Sequence, residues 1–490
     1  VLIFLSFSSG IRGLLTLMTE IIQRRLFVRI VEDLAYRLPR VRGDVLRNSP
    51  LNEKINQFFD IVTAQKVVAS LLLEGLAILL QTIIGMAVLA FYHPFLLGFD
   101  IVLLASVTFV TYLLGRGAVK TAIKESIGKY AVASWLEELA RHPTVFRMHA
   151  GRRLGLDRAD DLTIRYLESR RRHFRILMRQ IIFGLALQAV AATALLALGG
   201  WLVIARQLTL GQLVAAELIV TVIVGSFAKL GKHLEAYYDL MASVDKLGGL
   251  LDLPMSEEAQ WTPLDPAQPV GLVLAGGLFE STSDRHGPKL EQFRIAPGES
   301  VAILGPAGSG KSQLLEAIAG LAGDSQWTIR IQNVDVREVR RDALDAIIGI
   351  ALDIEIFRST IGENIQLGRP KIRQTDIRRA LELVELGNEV DAMPLGIESP
   401  LLTDGSPLSR SQRTRLVLAR AVAADPRVLL IDGLLDLLPD DQAERILDRL
   451  IAPEAGRTVL LTTGRRDLIR RLDRVAEIAH SSLIPDEHDS

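Results

Sequence analysis

Gly305-Pro306-Ala307-Gly308-Ser309-Gly310-Lys311-Ser312 matches the phosphate-binding loop pattern G-x-x-x-x-G-K-[ST] at every fixed position. Its flanks read as the two elements such a loop joins. Glu299-Ser300-Val301-Ala302-Ile303-Leu304 is a short apolar strand, and Gln313-Leu314-Leu315-Glu316-Ala317-Ile318-Ala319 has the apolar spacing of a helix. Glycines between a strand and a helix N-terminus let backbone N–H groups close around a polyphosphate, and the helix dipole adds partial positive charge. Lys311 is placed to hold the β- and γ-phosphates of a nucleotide, and the Ser312 hydroxyl to complete the shell of a Mg2+ ion. The bland alternative, a chance glycine-rich turn, is disfavoured by the strand–turn–helix setting.

Working outward, a chain of 490 residues with a mean hydropathy of +0.28 is too long for one ordinary domain and too apolar to be wholly water-soluble. The formal charge of −1 gives no sign of a nucleic-acid partner. The chain has no cysteine, which excludes disulfides, thiol nucleophiles and cysteine metal sites, and its histidines lack metal-ligand spacing. No cleavable signal peptide is read.

Apolar runs account for the hydropathy. Val1–Thr19, interrupted by Arg12, reads as a partial span, followed by Arg24, Arg25, Arg29, Arg37, Arg40, Arg42 and Arg47, which mark the cytoplasmic side. Val67–Phe91 and Phe95–Leu114 form a hairpin turning at Tyr92-His93-Pro94, and Ile181–Ile204 and Leu210–Phe227 form a second one turning at Arg206-Gln207-Leu208-Thr209. Between the hairpins lies a long charged helical excursion on the basic side. Five spans are expected, with the N-terminus outside the cytoplasm; because Val1 already lies in an apolar run, a first span of six is expected to precede it. Arg12, Glu74, Asp100 and Glu217 sit in these runs. Such groups either line a path or face other helices, and Asp100, near a membrane face, is expected to snorkel.

The expected fold is an α-helical transmembrane bundle followed by an α/β P-loop nucleotide-binding domain with a helical subdomain. Residues 1–254 are assigned to the membrane domain, 255–269 to a proline-spaced linker, 270–482 to the nucleotide-binding domain and 483–490 to a disordered acidic tail. Leu272–Leu274, Val301–Leu304, Val428–Ile431 and Val459–Leu461 are its β-like runs, in a largely parallel core.

Membrane hairpins, cytoplasmic extensions and a P-loop domain together resemble the ATP-binding cassette exporters, over nearly the whole chain. Phe357-Arg358-Ser359-Thr360-Ile361-Gly362-Glu363-Asn364-Ile365 is similar to the family's Phe-x-x-Thr-Ile-x-Glu-Asn-Ile segment. Leu408-Ser409-Arg410-Ser411-Gln412 stands in the place of the signature Leu-Ser-Gly-Gly-Gln, and the strand Val428–Ile431 ends on Asp432. By this resemblance Asp432 is the carboxylate that holds Mg2+ through water. The glutamate that polarises the attacking water is replaced by Gly433, the γ-phosphate histidine by Gly464, and the magnesium-sensing glutamine by Leu352. The adenine-stacking aromatic falls on Ser281, and the aspartate of the loop after the Asp432 strand falls on Pro439, next to Asp440. Asp436, three positions beyond Gly433, is not assumed to reach the water. Arg410 and Ser411 replace two glycines that let the backbone approach the γ-phosphate; Arg410 either blocks that approach or adds a cation to it.

The resemblance implies that MgATP binds and is turned over slowly or not at all. It implies a dimer of half-transporters in a lipid membrane, either a homodimer or a heterodimer with an intact partner, moving an unidentified substrate, with the nucleotide-binding domain cytoplasmic and the bacterial inner (plasma) membrane as location. Leu46–Phe58 and Glu138–Met148 correspond by position to the short helices that press on the nucleotide-binding domain. A membrane-anchored regulatory subunit that binds ATP without transporting is the second reading, which Leu352 favours; a P-loop enzyme of another chemistry is the third.

Overall fold

A computed structural model describes residues 2–43, 45, 55–228, 230–256, 264–265, 268–275, 293–322, 327–479 and 482–485. The chain divides into two units, Val1–Val41 with Ser49–Pro254, and Arg42–Asn48 with Met255–Ser490.

The first unit is helical. Its elements are α1 (Leu2–Arg37), α2 (Asp60–Ser70), a π-helical turn Leu71–Gly75, α3 (Leu76–Tyr92), α4 (Pro94–Thr108), a second π-helical turn Phe109–Leu114, α5 (Ala118–Arg141), α6 (His149–Ile204), α7 (Leu210–Ala228) and α8 (Leu230–Leu251). Both hairpin tips form where the sequence supplies the missing helix-end donors and acceptors. His93 Nδ1 accepts from the Phe95 N–H at 3.2 Å, with Pro94 opening α4. At the second tip Arg206 takes a left-handed conformation, and Thr209 and Gln212 cap each other's backbone N–H at 2.9 and 3.2 Å. Between α5 and α6 the chain breaks at His142, makes the short helix Pro143–Arg147 and turns again at Met148. This lies within the Glu138–Met148 segment; most of Leu46–Phe58 lies outside the described residues.

Among the described residues three helices, Asn56–Phe91, Pro94–Leu114 and His149–Ile204, are long and apolar enough to cross a membrane, and Leu210–Ile223 is a shorter apolar helix. The run Val1–Thr19 lies, from Leu2 onward, in α1, which continues without interruption through the arginines to Arg37. Asp100 is not where the sequence puts it. It shares the face of α4 that buries Leu96 and Leu103, is itself 2% exposed, and neither carboxylate oxygen has a hydrogen-bond partner. A short aspartate four residues from Leu96 follows the helix face rather than the membrane surface.

Where the spans leave the apolar core, polar side chains join the helices. Gln180 of α6 donates to Val110 O at 3.2 Å and meets Tyr238 Oη of α8 at 3.0 Å. Asp60, Lys246 and Tyr130 form a buried cluster across α2, α8 and α5: Lys246 Nζ is 2.6 Å from Asp60 Oδ2, Tyr130 donates to Asp60 Oδ1 at 2.8 Å, and the ammonium lies 4.2 Å from the Tyr130 ring centroid. Burial pushes the Lys246 ammonium below its ordinary value, and Asp60 opposes that shift.

The second unit carries the sheets. β1 (Leu272–Ala275), β2 (Phe293–Ile295), β4 (Thr328–Ile331) and β5 (Val334–Asp335) form an antiparallel sheet in the order β2-β1-β4-β5. The main sheet runs β12-β11-β3-β10-β9-β6, from β3 (Ser300–Leu304), β6 (Ile348–Ala351), β9 (Val428–Asp432), β10 (Thr458–Thr462), β11 (Arg474–Ala479) and β12 (Ser482–Pro485). It is parallel except at β12. Val428–Ile431 and Val459–Leu461 are fully buried, as strands covered on both faces must be. Leu272–Leu274 thus belongs to the antiparallel sheet and not to the parallel core. The tail expected to be disordered from 483 begins as strand β12, paired with β11 from Ala479↔Ser482 to Ala476↔Pro485; 486–490 lie outside the described residues. The helical part packs Ile361–Gln366, Gln374–Leu383 and Arg410–Val422 on a common core with Leu381, Leu416 and Leu435.

Removing one member of a buried ion pair leaves the other charge unpaired, at a cost of about 3–5 kcal/mol. Lys246→Ala is therefore expected to lower the thermal midpoint of the membrane unit in lipid, and the double change Lys246→Met with Asp60→Asn to recover most of the loss. Equal melting of Lys246→Ala and wild type would remove the pair from the account of stability.

Candidate nucleotide site

The loop Gly305–Gly310 leaves the carboxyl end of β3 and enters α9 (Lys311–Ile318). Gly305, Gly308 and Gly310 have φ of +146°, +80° and +93°, conformations that L side chains rarely adopt. A Cβ on Gly305 would stand 2.7 Å from Ser309 Oγ and 2.9 Å from the Ile478 carbonyl oxygen, so the cradle closes only around glycine. Lys311 Nζ donates to Gly305 O and Pro306 O at 2.8 and 2.9 Å, which keeps the ammonium against the loop. Ser312, in the first turn of α9, is exposed. Donors, ammonium and hydroxyl gathered on a helix N-terminus fit a polyphosphate with a divalent cation.

Strand register brings the carboxylate to the same end. Thr462 is opposite Asp432 on one side and Ile303 on the other, so β10 stands between Asp432 and the strand that feeds the loop. The Thr462 hydroxyl donates to Asp432 Oδ1, leaving Oδ2 as the atom that would face a magnesium-bound water.

Beyond Asp432 the chain holds no free base among the described residues of this turn. Gly433 is left-handed at φ +62°, and its N–H donates to Thr462 O at 3.0 Å. Asp436 lies on a single 3-10 turn, Leu434–Leu437, that buries Leu434 and Leu435. Both of its carboxylate oxygens are occupied: Oδ1 accepts from the Thr463 hydroxyl and Oδ2 from the Gly464 N–H at 3.0 Å. Asp436 thus clasps the segment after β10. Arg465 adds to the clasp, donating to Leu438 O at 3.2 Å and pairing with Asp440 at 2.9 Å and Asp467 at 2.5 Å; the hydrogen bond to Asp467 raises the guanidinium above its ordinary value. Sequence reading missed Arg465, whose only signal is its adjacency to Gly464.

The Leu408–Gln412 segment is a helix start. Leu408 is buried, and Ser409 and Gln412 cap each other across the first turn of α10 (Arg410–Val422), at 3.3 Å from the Gln412 N–H to Ser409 Oγ and 2.7 Å from the Ser409 N–H to Gln412 Oε1. Gln412 also donates to Glu389 at 2.5 Å, and Ser411 Oγ lies 3.5 Å from Gln442 Oε1. Arg410 is exposed at the N-terminal end of that helix. A cation at a helix N-terminus is opposed by the dipole, by about 0.3–1 kcal/mol. Leu352, half-buried, packs against the Val301 and Leu315 core. Ser281 lies outside the described residues.

Residues 290–434 match the family described as ABC transporter. The C-terminal unit belongs to that ABC transporter family. The match takes in the loop, Leu408–Gln412 and Asp432, and an ABC transporter domain implies ATP binding. A multidrug efflux ATP-binding/permease protein of Mycobacterium tuberculosis is 30% identical over 316 residues, 62% of this chain and 26% of that protein. An ATP-dependent lipid A-core flippase of Paraburkholderia xenovorans is 27% identical over 366 residues, 72% of this chain and 58% of that protein. The chain thus aligns with only about a quarter to three-fifths of the length of these curated relatives. A bacterial Atm1-family ABC exporter with ATP bound superposes with a TM-score of 0.83 over 95% of this chain and 82% of that one, at 19% identity, which is a likeness of fold. The chain has the organisation of a half-transporter, a helical membrane portion fused to an ABC domain.

If Asp436 is a clasp and not a base, Asp436→Ala should destabilise the ABC unit by about 1–3 kcal/mol, the cost of unpairing a buried or charged hydrogen bond, and leave the rate of MgATP turnover unchanged. Denaturant melts and steady-state hydrolysis on the same protein check this. A large drop in turnover with unchanged stability would assign Asp436 to catalysis instead.

Proposed function

We propose that this chain is one half of an ABC exporter that binds MgATP and hydrolyses it poorly, using ATP binding to gate a membrane pathway, with hydrolysis supplied at least partly by a partner subunit. Gly305–Ser312 would hold the polyphosphate, Lys311 would neutralise its β- and γ-phosphates, and Ser312 with Asp432 would hold Mg2+. The cation, when bound, supplies charge neutralisation at the transferring phosphoryl group.

The observation that carries the reading is the pairing of Asp436 with Thr463 and Gly464 beside Gly433. The phosphate loop, Lys311, Ser312 and Asp432 are kept, while beyond Asp432 no described carboxylate near Gly433 is left to polarise water. General-base assistance is worth about 10²–10⁴ in rate, so binding and turnover separate. Phosphate binding rests on charge complementarity that the loop and Asp432 retain.

Each ATP in such an assembly would lie between one chain's loop and the other chain's Leu408–Gln412 counterpart. In a homodimer both composite sites would lack the carboxylate. In a heterodimer one site would combine an intact partner's base with Ser409 and Arg410 of this chain. The proposed setting is the bacterial inner membrane, with the ABC unit cytoplasmic.

Restoring the missing groups tests the reading. A Cβ meets nothing within 4 Å at either Gly433 or Gly464, so side chains fit there, although the left-handed backbone at Gly433 would strain any L side chain by about 1–2 kcal/mol. Gly433→Glu with Gly464→His is expected to raise turnover of the purified chain in lipid by about 10²-fold or more, and Lys311→Ala to abolish MgATP binding. Wild-type turnover already at the level of the restored variant, and lost in Lys311→Ala, would sink the impaired-hydrolysis reading.

A further inference from the structure

The apolar segments of the membrane unit carry charge of one sign. Residues 67–115, 181–205 and 208–228 contain Glu74, Asp100 and Glu217 and no lysine or arginine; Arg12, on α1, is the one cation in the remaining apolar run. Carboxylates in such segments persist where they meet a donor, another helix or a water-lined path. Asp100 is sealed into the α4 face. Glu217 is exposed on α7. Glu74 is different, because a second polar group is aimed at it.

Glu74 lies in the π-helical turn Leu71–Gly75 that interrupts the helix Asn56–Phe91. Turns of this kind widen a helix locally and recur at functional sites. Its carboxylate is 57% exposed, and His233 of α8 brings Nε2 to 3.7 Å from Glu74 Oε2. The His233 side chain is only 10% exposed, and its Nε2 has no hydrogen-bond partner. At 3.7 Å the two atoms are too far apart to bond directly, yet close enough for one donor nitrogen to meet both. Glu74 supplies the negative charge. In the tautomer that carries its proton on Nδ1, the buried His233 Nε2 is a second acceptor, shielded from water.

We propose that Glu74 and His233 form a binding site for the primary ammonium group of an amphiphilic amine, held between the two acceptors while its apolar part lies along the span. As a statement of what the pathway carries, this rests on the exporter reading above. Two sources share the chemistry: an exported amine, and the ammonium headgroup of phosphatidylethanolamine.

The test uses the full chain in phosphatidylcholine nanodiscs titrated with dansylcadaverine, a fluorescent primary amine, and with its N-acetylated, uncharged analogue. Saturable binding of the amine at least about tenfold tighter than that of the analogue is expected, since a charge-assisted hydrogen bond is worth that factor or more. Glu74→Gln should weaken the amine by about tenfold, Glu74→Asp should retain most of the affinity, and MgATP binding should be unchanged in both. Amine and analogue binding alike, or Glu74→Gln binding as wild type does with MgATP binding intact, would overturn the site and leave a water-bridged structural pair. Were Glu74→Gln to misfold, seen as lost MgATP binding, the two probes on wild type and Glu74→Asp decide. Nanodiscs doped with phosphatidylethanolamine separate the sources: displacement of the dye assigns the site to the lipid headgroup, and undisturbed binding to a soluble amine. Failure of wild type to bind MgATP would sink the exporter reading while the amine result stands on its own.

Discussion

Parallel register at the centre of the main sheet is the constraint on which the nucleotide site depends. Thr462 lies opposite both Asp432 and Ile303, so the carboxyl ends of β9, β10 and β3 finish at one level. In a parallel sheet every strand delivers its following loop to the same edge. The phosphate loop after β3, the Gly433 turn after β9 and the Thr463–Arg465 segment after β10 are therefore neighbours by topology. A shift of one residue in β9 would turn Asp432 to the opposite face and take the Thr462 bond with it.

That neighbourhood explains how the segments around Gly433 and Gly464 are ordered. Glycine at 433 and 464 removes groups that would otherwise order the two segments, and glycine costs more conformational entropy on folding than other residues. The ordering comes instead from within the chain: Thr462 on Asp432, Thr463 and the Gly464 N–H on Asp436, Arg465 on Leu438 and Asp440. These bonds hold the loops without placing a base on water. On the proposed reading, binding and hydrolysis separate for a chemical reason: phosphate affinity depends on donors and charge, and hydrolysis on one positioned carboxylate.

The phosphate loop was legible because its requirements are local: glycines at backbone positions of positive φ, then a lysine and a hydroxyl at a helix start. Asp432 was legible through the family resemblance, as the residue that ends the apolar strand Val428–Ile431. The partnership of Asp436 was not, since it depends on which strand lies beside β9 and in what register, information that is spread over residues 428–464. Leu272–Leu274 reads as one more apolar run because three residues carry no sign of strand direction; its antiparallel pairing is set by β2 and β4.

In the membrane unit the ionisable residues divide by what the surrounding helices offer them. Asp60 meets Lys246 and Tyr130 at a helix junction, where the Coulomb attraction and two hydrogen bonds offset desolvation. Asp100 meets only apolar neighbours on its face, and a carboxyl without partners is tolerated there at a stability cost that Leu or Ile would not incur. Glu74 takes neither solution, being exposed with the buried His233 Nε2 at 3.7 Å. Glu74 sits in a π-helical turn of its span, and His233 Nε2 is buried without a hydrogen-bond partner. An unpaired buried polar atom is a cost that packing alone does not repay, and a ligand that bridges the two atoms would.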